Sequence, residues 1–156
     1  MPSRSLSQCE IIERDVVKKI VTIMALAVAG SLSSGAAVAQ DAAKGEAVFK
    51  QCMTCHRIGP DAKNLVGPVL TGVVGRKTGT APGFAYSPLN KAAGEAGLVW
   101  TQELIVQYLP DPNAFLKKYL TDKGQADKAV GVTKMTFKLA DEQQRKDVAA
   151  YIATFK

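Results

Sequence analysis

The residues with the most specific chemistry in this chain form the run Cys52-Met53-Thr54-Cys55-His56. Two cysteines three positions apart, with a histidine directly after the second, are typical of covalent c-type haem attachment. Thiols one helical turn apart can add to the two vinyl groups on one edge of a porphyrin and form thioethers. The run therefore predicts one haem c, bound covalently through Cys52 and Cys55, with His56 as an iron ligand.

Two other uses of these residues fit the sequence less well than haem attachment. A structural zinc site needs four ligands, and the whole chain holds only three Cys and one His. A thioredoxin-type redox pair belongs to a βαβ unit, and no apolar strand pattern precedes Cys52. The run therefore fits haem attachment better than a partial metal site or a dithiol.

The segment that precedes residue 40 has the pattern of an export signal. Two lysines come before the apolar run 20–30, and residues 37–39 (Ala-Val-Ala) form a small-residue cleavage site. We therefore expect residues 1–39 to be a cleaved signal peptide and residues 40–156 to be a haem domain in the periplasm. An uncleaved anchor is the competing interpretation, because residues 20–40 carry no charge and could span a bilayer.

The predicted mature chain is long enough for one domain with a modest core. It holds 16 Lys and Arg against 11 Asp and Glu, a net charge of +5 before haem propionates are counted. Its lysines are scattered, and no aromatic or Arg-rich stripe accompanies them. This moderate basic excess favours an acidic partner surface and argues against a nucleic-acid groove.

Helical signals are concentrated toward the two ends of this region. Asp41 can cap a first helix and Asp141 a last one, and Thr101 and Asp111 can cap two more between them. In the first and last helices, apolar or small residues recur on one narrow face, so these two helices are expected to cross. The face residues are Gly45, Val48, Phe49 and Cys52 in the first helix and Val148, Tyr151, Ile152 and Phe155 in the last.

Between Arg57 and Trp100 the helical pattern disappears. This stretch contains eight of the 13 Gly and four of the seven Pro. A loop of that length is normally evidence against a compact domain. A cofactor resolves the difficulty, because loops can wrap a flat apolar group. The expected fold is mainly α, with loops around one haem.

The second axial ligand of the iron can be approached by elimination. His56 is the only histidine in the chain, so a second imidazole is excluded. Met53 lies inside the attachment run, which leaves Met135 as the remaining methionine after the signal segment. A thioether opposite an imidazole gives a six-coordinate iron with a raised reduction potential. The structural alternative for a lone methionine is core filling.

An iron with both axial positions filled has no open site for oxygen, peroxide or substrate. Such a protein transfers single electrons and is not an enzyme. A haem enzyme or gas sensor would need an open position and a distal acid or base, and the sole histidine is already used. A haem-free dithiol or structural protein is the remaining alternative.

Several short motifs along residues 41–156 make this chain similar to the class I c-type cytochromes, and most closely to the cytochromes c2 of photosynthetic purple bacteria. The resemblance implies the class I cytochrome c fold, in which terminal helices cross and loops wrap one covalently bound haem. In order, the motifs are the attachment run, Gly67-Pro68, Gly75-Arg76-Lys77-Thr78-Gly79, Gly83-Phe84-Ala85-Tyr86-Ser87, Trp100, Tyr108-Leu109 and Thr133-Lys134-Met135.

The resemblance also implies roles for further residues around the haem. The carbonyl of Pro68 would accept the second imidazole N–H and fix the ring. Other side chains would donate to the buried propionates, which would be costly to leave unpaired, or lie near the haem and the methionine sulfur. The propionate donors are Arg76, Tyr86, Ser87 and Trp100, and the other polar groups are Asn90, Tyr108 and Thr133. The structural alternatives are an ordinary turn proline for Pro68, core packing for Tyr86 and Trp100, and local caps for Asn90, Tyr108 and Thr133.

The function implied by the resemblance is that of a soluble, monomeric electron carrier. It would shuttle electrons from a cytochrome bc complex to a photosynthetic reaction centre or a terminal oxidase, meeting each membrane complex transiently. The family places basic side chains around the exposed haem edge near Met135. The corresponding docking residues here are Lys117, Lys118, Lys134 and Lys138, whose alternative role is a solvated face.

Overall fold

The computed structural model of this protein describes residues 40–156, and the predicted signal peptide lies outside this range. The described chain is mainly helical, as predicted, and its only extended pairing is an isolated antiparallel bridge between Lys77 and Val99. None of its helices is both long and apolar enough to cross a membrane. The α-helices are α1 (Ala42–Phe49), α2 (Pro88–Glu95), α3 (Gln102–Tyr108), α4 (Pro112–Asp122) and α5 (Glu142–Ala153), and short 3₁₀ helices span Cys52–Thr54 and Ala126–Lys128.

The predicted helix starts are confirmed by capping bonds. Asp41 accepts hydrogen bonds from the backbone N–H groups of Ala43 and Lys44 at the start of α1. At the start of α5, Asp141 accepts from the N–H of Gln144 at 2.8 Å. Each carboxylate satisfies donors that the first helical turn leaves unpaired.

The two middle helices also begin where the sequence predicts. Thr101 accepts from the N–H of Leu104 at the start of α3, and Asp111 accepts from the N–H of Ala114 at the start of α4. Gly124 follows α4 with a φ of +70°, a left-handed conformation that glycine adopts without strain.

The crossing of α1 and α5 depends on Gly45. A Cβ atom at this position would lie 2.0 Å from the carbonyl oxygen of Asp147, so only glycine allows this approach. Beside it, the rings of Phe49 and Tyr151 have centroids 5.4 Å apart, and Val148 is fully buried. The predicted contact between the terminal helices is confirmed.

One prediction was wrong, because the stretch between Arg57 and Trp100 contains the helix α2. Its start is marked by Ser87, which accepts from the N–H of Asn90 at 3.3 Å, and by a proline in the first turn. The helix packs through small residues. A Cβ at Gly94 would lie 2.0 Å from the carbonyl oxygen of Thr78. A helix that approaches its neighbour so closely lacks the large apolar stripe by which helices are recognised.

Candidate functional site

All twelve residues predicted to bind the haem line one cavity of about 490 Å³ in the described part of the chain. This volume lies within the range of roughly 300–1,000 Å³ that is usual for ligand and cofactor sites. The site is therefore assembled from stretches of the chain that lie between residues 52 and 135. The predicted residues are Cys52, Cys55, His56, Pro68, Arg76, Tyr86, Ser87, Asn90, Trp100, Tyr108, Thr133 and Met135.

The attachment run follows α1 and turns immediately into a 3₁₀ helix. The carbonyl of Cys52 accepts from the N–H groups of Cys55, at 3.1 Å, and His56, at 2.9 Å. This turn places both thiols and the imidazole at the same cavity. Burial, with a contribution from Cys55, raises the pKa of the Cys52 thiol to about 11. Redox-active dithiols depend on a lowered pKa, so this environment counts against the thioredoxin-type alternative.

The ring of His56 is oriented by the Gly67-Pro68 segment, which packs against it. Its Nδ1 lies 2.7 Å from the carbonyl oxygen of Pro68. Because a carbonyl can only accept, Nδ1 carries the proton and Nε2 keeps its lone pair for a metal. Burial lowers the pKa of His56, opposed by the Pro68 hydrogen bond, and this favours the neutral form that binds iron. A Cβ at Gly67 would lie 2.4 Å from the ring, so glycine is needed there.

Met135 lies in a segment without helix that is held at both ends. On its N-terminal side, the N–H of Thr133 donates to Asn113 in α4 at 3.2 Å. On its C-terminal side, the N–H of Leu139 donates to the carbonyl of Leu109 at 2.9 Å. Met135 itself is half-buried against the core and lines the cavity. Because both ends of the segment are fixed, the Met135 thioether is held at a defined position even though the segment has no regular secondary structure.

Four of the polar residues predicted near the haem form a buried network. The Oδ1 of Asn90 accepts from the hydroxyls of Ser87, at 2.8 Å, and Thr133, at 2.9 Å. Burial raises the pKa of Tyr108, opposed by hydrogen bonds with Thr133 and Asn90. The network ties α2 and α3 to the Met135 segment. In this arrangement the Ser87 hydroxyl donates to Asn90 Oδ1, and its oxygen caps α2.

Another part of the cavity is lined by Arg76, Tyr86 and Trp100. Arg76 donates to the carbonyls of Val69, at 2.9 Å, and Thr71. Burial raises the pKa of Tyr86, and the charge and hydrogen bond of Arg76 oppose that shift. The indole of Trp100 packs edge-on against Tyr108, with centroids 4.8 Å apart. A guanidinium, a phenol and an indole N–H supply donors of the kind that a buried carboxylate requires.

Sequence reasoning missed the side chain of Thr78 and most of the apolar wall. Thr78 is 2% exposed, and its hydroxyl has no hydrogen-bond partner among the described residues. Thr78 lies beside the Lys77–Val99 bridge and its N–H donates to the carbonyl of Leu98, a pairing that no signal in the sequence indicates. The apolar lining includes Leu70, Val73, Phe84, Ile105 and Leu109.

The cavity opens to solvent beside two apolar side chains. Val66 is 70% exposed and Phe137 is 36% exposed, yet both also line the cavity. The two residues mark the mouth through which a bound cofactor would be approached.

Three of the four predicted docking lysines already hold partners inside the protein. The ammonium of Lys134 donates to the carbonyl of Ala85 at 2.5 Å and lies 5.8 Å from the ring centroid of Phe84. Lys138 forms an ion pair with Asp111 at 2.6 Å. The other two lysines lie on α4, where Lys117 is half-buried and Lys118 pairs with Asp122 at 2.8 Å.

The donor set fits a covalently attached iron porphyrin. Two thiols, an imidazole with a free Nε2 and a thioether surround one mainly apolar cavity. Within residues 40–156, no three His, Cys, Asp or Glu side chains come together as a metal-binding group. The zinc alternative therefore lacks its ligands, whereas a haem would use both thiols, the imidazole and the thioether.

Comparison with known proteins agrees with this geometry. The cytochrome c family profile matches residues 42–156. The chain belongs to the cytochrome c family. It is 72% identical to the cytochrome c2 of Rhodopseudomonas palustris over 142 residues, which cover 90% of this chain and 100% of that relative. It is also 72% identical to cytochrome c2 iso-1 of Rhodospirillum centenum over 115 residues, covering 74% and 96%.

Solved structures of cytochromes c2 have the same fold. The Rhodospirillum centenum protein superposes with a TM-score of 0.74 at 70% identity, covering 74% of this chain and 98% of that one. The predicted class I cytochrome c fold and the predicted similarity to cytochromes c2 are confirmed. This cytochrome c carries one covalent haem c, with Cys52 and Cys55 at the attachment positions, and is an electron-transport protein.

Proposed function

We propose that this cytochrome c is a periplasmic one-electron carrier with His56 and Met135 as its two iron ligands. It takes electrons from a cytochrome bc complex and delivers them to a photosynthetic reaction centre or a terminal oxidase. The observation that carries the proposal is that one cavity is lined by both a thioether and an imidazole whose Nδ1 lies 2.7 Å from the Pro68 carbonyl oxygen. The similarity to cytochromes c2 of purple bacteria supports the same assignment.

The haem supplies reversible one-electron chemistry at iron when it is bound. The protein holds the two ligand side chains in place: Pro68 fixes the His56 ring, and the bonds of Thr133 and Leu139 fix the Met135 segment. Side chains held in this way would need little rearrangement when a bound haem gains or loses one electron. The only histidine is used as a ligand, which leaves no imidazole for acid or base catalysis and supports a carrier over an enzyme.

The processing that we propose predicts a specific mass. Cleavage after the Ala-Val-Ala site at residues 37–39 would yield a mature protein that begins at Gln40. Intact mass spectrometry of the purified holoprotein should therefore give the mass of residues 40–156 plus one haem. A mass that includes residues 1–39, or retention in the membrane fraction after salt washing, would instead support an anchored carrier.

The proposed electron route is tested by kinetics with isolated partners. The reduced holoprotein should re-reduce flash-oxidised reaction centres, and the oxidised holoprotein should accept electrons from a quinol-supplied bc complex. A terminal oxidase should be tried in parallel as the acceptor. If the protein reacts with none of these complexes at micromolar concentration, the proposed function is wrong.

The charge of the chain predicts how these rates depend on salt. A carrier that meets two partners in turn is steered by long-range attraction, which salt screens over about 8 Å at physiological ionic strength. The second-order rate should therefore fall steeply as salt rises. Lys134→Glu should slow association while the haem spectrum is retained, and Lys156→Glu, a matched reversal at the C-terminus, should have a smaller effect. Rates that respond to neither salt nor Lys134 would contradict electrostatic docking.

A further inference from the structure

Asn113, in the first turn of α4, fastens the N-terminal end of the Met135 segment, which comprises residues 133–139. The Oδ1 of Asn113 accepts a hydrogen bond from the N–H of Thr133 at 3.2 Å. Thr133 is 7% exposed, and its hydroxyl accepts from the N–H of Met135 at 3.3 Å. One buried residue therefore connects the amide of Asn113 to the residue that carries the thioether.

Asn113 lies outside the lining of the haem cavity, so it can act on the iron site only through the Met135 segment. The neighbouring contacts are of other kinds. The ion pair between Lys138 and Asp111 joins side chains that are 58% and 39% exposed, where such pairs contribute little. At the C-terminal end of the segment, the N–H of Leu139 bonds to a backbone carbonyl, which is independent of any side chain.

Loss of the Asn113 acceptor would affect two arrangements of the segment unequally. With the segment in place, the N–H of Thr133 would be buried without its acceptor, which costs free energy. With the segment moved away from the iron, the same N–H would meet water and lose nothing. Removing the acceptor therefore favours the open arrangement, in which the thioether no longer occupies its position in the cavity.

We propose that Asn113 is a positioning residue that holds the Met135 thioether in place and thereby keeps external ligands off the iron. The inference rests on the proposed function, in which Met135 is an iron ligand. The ligands excluded are small neutral donors that compete for the same iron position, such as imidazole in solution. Their apparent affinity is the intrinsic affinity multiplied by the fraction of open protein, so it measures the hold on the segment directly.

The test titrates ferric holoprotein with imidazole and follows the sulfur-to-iron absorption band. We expect Asn113→Ala to bind imidazole about fivefold more tightly than the wild type, the effect of one hydrogen bond. Its band should also be lost at a lower temperature on heating. Asn113→Asp retains an oxygen acceptor at the same place and should bind imidazole as the wild type does.

The control for α4 itself is Ala114→Gly, at an exposed position in the same helical turn. Glycine weakens a helix but leaves the bond between Asn113 and Thr133 unchanged. This variant should unfold at a lower temperature by circular dichroism and yet bind imidazole as the wild type does. Alanine is a better helix former than asparagine, so Asn113→Ala should open the iron site without weakening α4.

Several results would overturn the inference. If Asn113→Ala keeps the band and the imidazole affinity of the wild type, Asn113 does not position the thioether, although the proposed ligation stands. If Asn113→Asp binds imidazole as tightly as Asn113→Ala, the acceptor oxygen is not the cause. If Ala114→Gly does so, the cause is the stability of α4. A wild-type protein without the sulfur-to-iron band would show that the proposed ligation is wrong, and the inference would fail with it.

Discussion

Replacing Met135 with alanine is expected to leave the haem attached through Cys52 and Cys55 but to remove the thioether ligand. The reduction potential should fall by on the order of a tenth of a volt or more, because axial ligands tune haem potentials over roughly 0.8 V. The long-wavelength sulfur-to-iron absorption band of the ferric protein should disappear. The reduced protein should also bind carbon monoxide, since one iron position would be open.

The control for this variant is Met53→Ala. Met53 lies inside the attachment run and is 47% exposed, so its loss should leave the band and the potential unchanged. Spectroelectrochemical titration measures both quantities in one experiment. If the sulfur-to-iron band survives in Met135→Ala, the ligand assignment is wrong.

Replacing Gly45 with alanine is expected to have the largest effect on stability. The added Cβ would lie 2.0 Å from the Asp147 carbonyl oxygen and 2.8 Å from the Cβ of Tyr151, so α1 and α5 would have to separate. We expect a loss of about 3 kcal/mol in the free energy of unfolding, typical of severe overpacking. The intrinsic helix preference of alanine over glycine, about 1 kcal/mol, is too small to offset the clash.

Guanidinium unfolding of the ferric holoprotein, followed by circular dichroism, measures this loss. Glu46→Ala changes the next residue of α1, whose side chain is exposed, and should leave the midpoint nearly unchanged. A Gly45→Ala midpoint equal to or above that of the wild type would show that the helices do not cross as closely as described.

The features that the sequence predicted are those whose cause is local. The spacing of Cys52 and Cys55 follows from the chemistry of the porphyrin edge, and the helix starts follow from single capping residues such as Asp41 and Asp141. The elimination that leads to Met135, whose role as a ligand stays a prediction, needs only a count of possible ligands. None of these inferences required knowledge of which distant segments pack together.

The features that the sequence missed depend on distant contacts. The helix α2 lacks a large apolar stripe because Gly94 packs directly on the backbone of Thr78. The burial of Thr78 arises from pairing with residues some twenty positions later, where its N–H donates to the carbonyl of Leu98. The bond from Lys134 to Ala85 spans 49 positions. Such contacts cannot be inferred from spacing along the chain.

In the proposed function, the iron keeps two protein ligands, His56 and Met135, and exchanges one electron. Redox titration of the purified holoprotein, repeated under carbon monoxide, tests it most directly. We expect a single reversible one-electron transition, a sulfur-to-iron band in the ferric state, and a reduced spectrum that carbon monoxide leaves unchanged at neutral pH. Carbon monoxide binding to the reduced wild-type protein, with no sulfur-to-iron band in its ferric form, would contradict the claim and indicate an open, enzyme-like or sensor-like haem site.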